Sequence, residues 1–249
     1  MSMSRVPMAP SQPDVRAVGD SPSRPRAWPE GRDVHVWSID LAAPHATPTP
    51  CLDSRELERA RRFVYADDAR RYTRAHLALR AILASYLGCD PDSLDFGEQE
   101  LGKPRLLHGA TGRYFNLSHS KDMALLALGG ADEVGVDIEA VRDDLPGDDL
   151  ASAVLCAAEL EQLGAWPEGE RAQPFVICWT RKEACLKAVG LGLNLEPRSL
   201  HVGFDASRLR LRLDSSELDV ETLPVRAGYC AAVAAVGGLG GVHCFEFQA

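Results

Sequence analysis

Between Phe96 and Glu139 the chain is cut into short apolar runs, each bounded by Gly, Asn or Asp, and this punctuation constrains the fold more than any other feature. The runs lie around Phe96, at 115–117, at 124–128 and in VGVDIE (134–139), and they are too short for helices. HVGF (201–204), LRLRL (209–213), DVETL (219–223) and YCAAVAAV (229–236) repeat the pattern later, and DVHVWSIDL (33–41) precedes it, with Val34, Val36 and Ser38 alternating with His35, Trp37 and Ile39. Helical patterns come in blocks: from Asp53 to Leu87, where Asp53 or Ser54 can cap and Gly88 closes, then at about 150–163 and 172–190. Antiparallel-looking strands beside blocks of helix make an α+β protein rather than alternating βαβ units.

Residues 1–32 are rich in Ser, Pro, Arg and Asp, with Trp28 the one large aromatic, and are expected to be a disordered N-terminal extension. Asp143, Asp144, Pro146, Gly147, Asp148 and Asp149 read as a connection, which gives an N-terminal α+β half at 33–141 and a C-terminal α+β half at 142–249. A chain of 249 residues with 45% apolar content buries a core without metal or disulfide. Its seven cysteines are scattered, never C-x-x-C, and read as buried small hydrophobes of a reducing compartment. The net charge of -9 argues against a nucleic-acid partner, although eight arginines (55, 59, 61, 62, 70, 71, 74 and 80) crowd the first helical block. With no apolar run of membrane-spanning length and no basic-then-apolar leader, the expectation is a cytoplasmic protein with no membrane partner.

Three short segments carry groups suited to chemistry. In Gly135-Val136-Asp137-Ile138-Glu139 the period of a strand places Asp137 and Glu139 on one face and Val136 and Ile138 on the other. Two adjacent carboxylates repel unless a cation stands between them, and Mg²⁺ suits such a pair because it keeps sites for water and phosphate oxygens; solvated strand edges also carry such pairs. In WTRKEACLKA (179–188) helical spacing lines up Trp179, Glu183 and Lys187. Gly102-Lys103-Pro104 followed by FNLSHS (115–120) delivers His119 to a strand end, and the absence of a G-x-S-x-G elbow favours a phosphate donor over the base of a serine hydrolase, with a satisfied turn histidine as the plain alternative.

The order GKP, FNLSHS, GVDIE, WTRKEACLKA resembles the larger, pseudo-dimeric 4′-phosphopantetheinyl transferases that serve polyketide and nonribosomal-peptide synthases, over roughly residues 33–235. The resemblance implies two similar α+β subdomains related by a pseudo-two-fold axis, with the active site in the cleft between them. It implies Mg²⁺ on Asp137, Glu139 and Glu183, with coenzyme A as substrate bound by Lys103, Ser118, His119 and Lys187 and, on a looser match, Arg59 and Arg71. Glu183 or Lys187 would take the proton of a carrier-protein serine. The partners implied are coenzyme A and an apo acyl or peptidyl carrier protein, and a monomer suffices if one chain builds the cleft. A non-catalytic homologue that only binds coenzyme A or a carrier protein, and a metal-dependent nuclease using the same acids, are the competing readings. Neither the carrier served, the acyl groups tolerated nor the choice of base is legible.

Overall fold

The computed structural model describes residues 27–43, 51–99, 102–107, 112–142, 148–190, 195–205 and 207–248. Its strands are β1 (Val34–Asp40), β2 (Phe96–Glu98), β3 (Pro104–Leu106), β4 (Tyr114–Ser120), β5 (Met123–Gly129), β6 (Val134–Ala140), β7 (Leu209–Leu213), β8 (Ser216–Leu223), β9 (Tyr229–Val236) and β10 (Val242–Phe247). Its helices are α1 (Ser54–Arg61), α2 (Ala66–Leu87), α3 (Asp148–Val154), α4 (Ala157–Gly164) and α5 (Ala172–Val189).

Two four-stranded sheets, in the orders β10-β1-β5-β4 and β6-β9-β8-β7, stand face to face, and a small β2–β3 ribbon completes the set. Both faces of each large sheet are covered. On β1, Val34 and Val36 point into a core between the sheets with Leu125, Val136, Ile138 and Val233, while Trp37 and Ile39 point the other way onto Leu79, Ile82 and Leu83 of α2. On β9, Ala231, Val233 and Ala235 face the central core, and Ala232 and Ala234 face Ala184, Cys185 and Ala188 of α5. The result is two similar α+β units, helix outside and sheet inside, stacked back to back.

Several expectations need correction. Residues 1–26 of the expected disordered extension lie outside the described residues, but 27–32 are ordered, because the Trp28 indole donates to Gly129 O at 2.8 Å and stands edge-on to Tyr86. The first helical block is two helices, not one. The chain turns back at 62–65 so that buried Glu56 of α1 can meet Arg80 at 2.7 Å and His76 at 2.8 Å on α2. HVGF is not a strand. Its backbone groups are taken by side chains, with Arg181 donating to Val202 O at 3.0 Å and Glu159 accepting from Val202 N at 2.9 Å, so no ladder is needed to satisfy them.

Sheet membership crosses the boundary expected near residue 141, most of whose connecting loop lies outside the described residues. β6 pairs antiparallel with β9 of the second sheet, and β10 returns to pair parallel with β1 of the first. Of the cysteines, only Cys178, Cys185 and Cys230 are buried, and Cys89 is exposed. No helix among the described residues is long and apolar enough to cross a membrane.

Candidate active site

The site forms where the edge strands of the two sheets, β4 and β6, lie alongside each other. No backbone ladder joins them; side chains of β4 reach across instead. Asn116 Oδ1 accepts from Val136 N at 2.8 Å, Ser118 Oγ donates to Asp137 Oδ1 at 2.8 Å, and Ser120 Oγ donates to Glu139 Oε2 at 2.7 Å while accepting from Ala140 N at 3.1 Å. Alternate residues of FNLSHS thus bind GVDIE, and Phe115 and Leu117 between them belong to the α2 core.

α5 lies directly on β6. A Cβ at Gly135 would stand 2.1 Å from Ala184 O and 2.3 Å from Ala188 N, so only glycine allows the helix this close. That approach brings the turn of α5 carrying Glu183 and Lys187 down onto the β6 acids. Lys187 Nζ donates to Asp137 Oδ1 at 2.6 Å and to Ser118 Oγ at 3.0 Å. Glu183, one turn back, shares the field of Asp137 and Glu139.

Burial and charge oppose each other here. Desolvation, then the neighbouring carboxylates, raise the pKa of Glu183 despite Lys187. Glu139 is raised as well, first by burial and then by Asp137, against the hydrogen bond from Ser120. Among the described residues two buried side-chain oxygens have no hydrogen-bond partner, Asp137 Oδ2 and Glu183 Oε1. Buried carboxylate oxygens are costly without a donor. Two from different elements, near a third acid, are oxygens of the kind a hard divalent cation takes, although among the described residues Asp137, Glu139 and Glu183 do not bring ligand atoms within 4.8 Å of one another.

The remaining expected residues are distributed around this centre. His119 is exposed on the α2 side of β4, and its pKa is lowered by partial desolvation and then by the charges of His76 and Lys187, with Arg71 adding to them. Arg71 is tied to Asp122 at 2.9 Å and Asp68 at 3.2 Å. Lys103 is buried at the start of β6, where its amine donates to Glu133 at 2.5 Å and to Val134 O at 3.0 Å, and burial lowers its pKa against the pull of Glu133. Arg59 is exposed on α1. Sequence reasoning missed Asn116 and Ser120 as the fasteners between the sheets, although the polar-apolar alternation of FNLSHS carried that signal. It also missed Glu133, which has no motif to announce it.

A different group, Cys156, Glu159 and His201, brings potential ligand atoms within 4.8 Å of one another. Glu159 has no room for a cation, because its oxygens already accept from Val202 N, Gly203 N, Cys156 N and the Lys182 ammonium at 2.6 Å.

Comparison with known proteins gives two family matches in tandem. One, described as the 4′-phosphopantetheinyl transferase superfamily, covers residues 133–234, and one described as 4′-phosphopantetheinyl transferase, N-terminal, covers 42–129. The chain is 37% identical over 166 residues to 4′-phosphopantetheinyl transferase HetI of Nostoc sp., an alignment covering 65% of this chain and 70% of HetI. It is 28% identical over 187 residues to 4′-phosphopantetheinyl transferase Sfp of Bacillus subtilis, covering 74% of this chain and 82% of Sfp. With the L-aminoadipate-semialdehyde dehydrogenase-phosphopantetheinyl transferase of Xenopus laevis it shares 28% identity over 188 residues, 67% of this chain and 62% of that protein.

Proposed function

The chain belongs to the 4′-phosphopantetheinyl transferase superfamily, and on that premise we propose how its own residues carry the reaction. The enzyme transfers the 4′-phosphopantetheine arm of coenzyme A to a serine of an apo carrier protein. The serine oxygen forms a bond to the β-phosphorus, the bond from that phosphorus to the bridging oxygen breaks, and adenosine 3′,5′-bisphosphate leaves.

The observation that carries the assignment of the centre is the pair of unpartnered buried oxygens on Asp137 and Glu183. Together with Glu139 they would hold Mg²⁺, which when bound supplies positive charge to the pyrophosphate. Lys187, whose amine already lies 2.6 Å from Asp137, holds that carboxylate in place and presents positive charge to the phosphates as they gain negative charge. Because Lys187 donates to both Asp137 and Ser118, Glu183 is the better placed proton acceptor for the incoming serine. His119 and Arg71 offer donors to the phosphates of the nucleotide end, and Ser118 fixes Lys187 and Asp137 relative to each other. Arg59 stands further out on α1 as a weaker candidate for the same end. Lys103 acts through the backbone in this reading, holding the start of β6 by Val134 O. One chain supplies every group named, so a monomer is the working unit.

The test is direct. Incubation of the chain with coenzyme A, Mg²⁺ and an apo carrier protein should add the mass of one phosphopantetheine to the carrier, and chelation should stop it. A carrier of unchanged mass at all Mg²⁺ concentrations would refute catalysis and leave the binding-only reading.

A further inference from the structure

We propose that His76, oriented by the buried carboxylate of Glu56, is a specificity-determining residue that donates a hydrogen bond to the 3′-phosphate of coenzyme A. This rests on the transfer reaction above and adds to the nucleotide end a residue from the interior of α2, outside every motif of the sequence.

Its surroundings aim the imidazole. Nδ1 lies 2.8 Å from Glu56 Oε1, and the ring packs against that of Tyr72 with centroids 4.1 Å apart. Glu56 is itself fixed, because its other oxygen accepts from Arg80 Nε at 2.7 Å and from the Asp53 amide at 2.9 Å. Burial alone would raise the pKa of Glu56, but the bonds from His76 and the Asp53 amide, with the charges of His76 and Arg80, hold it below the ordinary carboxylate value. A carboxylate there takes the hydrogen of Nδ1, so Nε2 stands on the far side of the ring. Among the described residues Nε2 makes no hydrogen bond, and the His76 side chain keeps 20% of its surface open against 8% for Glu56.

That open side borders the nucleotide end. His76, Lys187, Asp68 and Arg71 all bear on the charge of His119, and Glu56, Arg59, Asp53 and Arg80 bear on Tyr72 beside His76. Arg59, Arg71, His76 and His119 thus border one recess between α1, α2 and β4. Its acids are engaged: Asp68 and Asp122 hold Arg71, Asp53 holds Arg80 and the first amides of α1, and Glu56 holds His76. The recess therefore offers directed donors rather than net charge. A phosphate monoester seated there takes the Nε2 hydrogen of His76, whose ring then carries a hydrogen on each nitrogen and bridges two anions. A bare ribose hydroxyl in its place gains little, because the bond to an anion is the stronger one.

The experiment compares the full-length wild type with His76→Asn, whose amide nitrogen can replace Nδ1 toward Glu56 but leaves nothing where Nε2 stands. Steady-state kinetics with coenzyme A and with 3′-dephospho-coenzyme A should show the variant's KM for coenzyme A raised about tenfold. The change should fall on KM rather than kcat, and the KM for 3′-dephospho-coenzyme A should not move. An unchanged KM for coenzyme A overturns the proposal, and so does an equal rise for both substrates, the mark of a purely structural residue. Should the variant not fold, carbethoxylation of the wild type with diethyl pyrocarbonate, read at His76 by peptide mass spectrometry, decides the matter. Protection by adenosine 3′,5′-bisphosphate but not by adenosine 5′-monophosphate sustains the proposal; equal labelling with either nucleotide, or a ring that is never labelled, overturns it. If the wild type transfers nothing, the transfer reading fails, and calorimetric titration of the same two nucleotides still judges His76. A loss of affinity in His76→Asn confined to the 3′-phosphorylated nucleotide sustains the assignment, and equal affinities in variant and wild type refute it.

Discussion

Asp137 commits one oxygen to Lys187 and Ser118 and leaves the other buried and bare, and Glu183 has a bare oxygen as well. Such groups are held by the fold at a cost that binding relieves. Glu183→Gln should therefore raise the cation-free Tm by about 2 °C or more, abolish the Tm increase on adding Mg²⁺ and abolish turnover; differential scanning calorimetry and the carrier mass assay read these. Lys187→Ala should keep a Mg²⁺-dependent Tm increase but lower kcat by about 10²-fold or more. The raised pKa values of Glu139 and Glu183 give a sign. Their folded forms hold protons more tightly than the unfolded chain, so their penalty is present at neutral pH and is relieved as pH falls through the raised values. The Mg²⁺-dependent Tm increase should shrink as pH falls from neutral through the raised values, because protons and cation compete for the same oxygens. The two acids on one strand face and the Glu183–Lys187 turn were legible from periods of two and four. The bond from Lys187 to Asp137 was not, since the two stand on different elements and no local pattern encodes which acid the lysine meets.

α5 is fixed from both sides. Below it, Gly135→Ala would place a methyl group inside the helix backbone. Overpacking of this kind should destabilise by about 1–3 kcal/mol or more and lift Glu183 and Lys187 off β6, so that the purified variant keeps its circular dichroism yet loses transfer. On its other side, Lys182 is fully buried, donating to Glu159 at 2.6 Å and to Pro197 O at 3.0 Å. Arg181 meanwhile binds the carbonyls of Val202, Asp205 and Ser207. Burial alone would raise the pKa of Glu159, but the Lys182 bond and the amides of Val202 and Cys156 outweigh it and hold it at about 2. Its stabilising contribution is present above the unfolded value and is lost as pH falls from about 4.5 to about 2. Glu159→Gln strands a buried ammonium, should cost roughly 3–5 kcal/mol at neutral pH, and should flatten that acid limb in urea titrations at successive pH values. This arrangement also explains what the sequence hid. HVGF has the pattern of a strand, and only side chains arriving from α4 and α5 hold it as a loop. Arg181 and Lys182, the sequence neighbours of Glu183, both point away from the cleft onto the backbone of Pro197, Leu200, Val202, Asp205 and Ser207.

The whole molecule is joined by the core between its sheets and by β10, whose six residues pair in register with β1 from Val34↔Val242 to Ile39↔Phe247. Strand alternation revealed most of the architecture, but a final strand crossing back to the first has no local signature, so the division into sequential halves was legible only in outline. Each unit relies on the other's surface, and calorimetry should therefore show one unfolding transition rather than two. Ending the chain at Gly241 should lower Tm and expose Phe245 and Phe247, read as increased dye binding. The parallel pairing of β1 with β10 has a bearing on how the protein is made. At synthesis rates of about 5–20 residues per second, β1 leaves the ribosome roughly ten to forty seconds before its neighbour exists. During that interval its open edge, with Trp37 and Ile39 beside it, is exposed to other nascent chains, so yield in cells should depend on holdase chaperones and on slow translation upstream rather than near the end of the message.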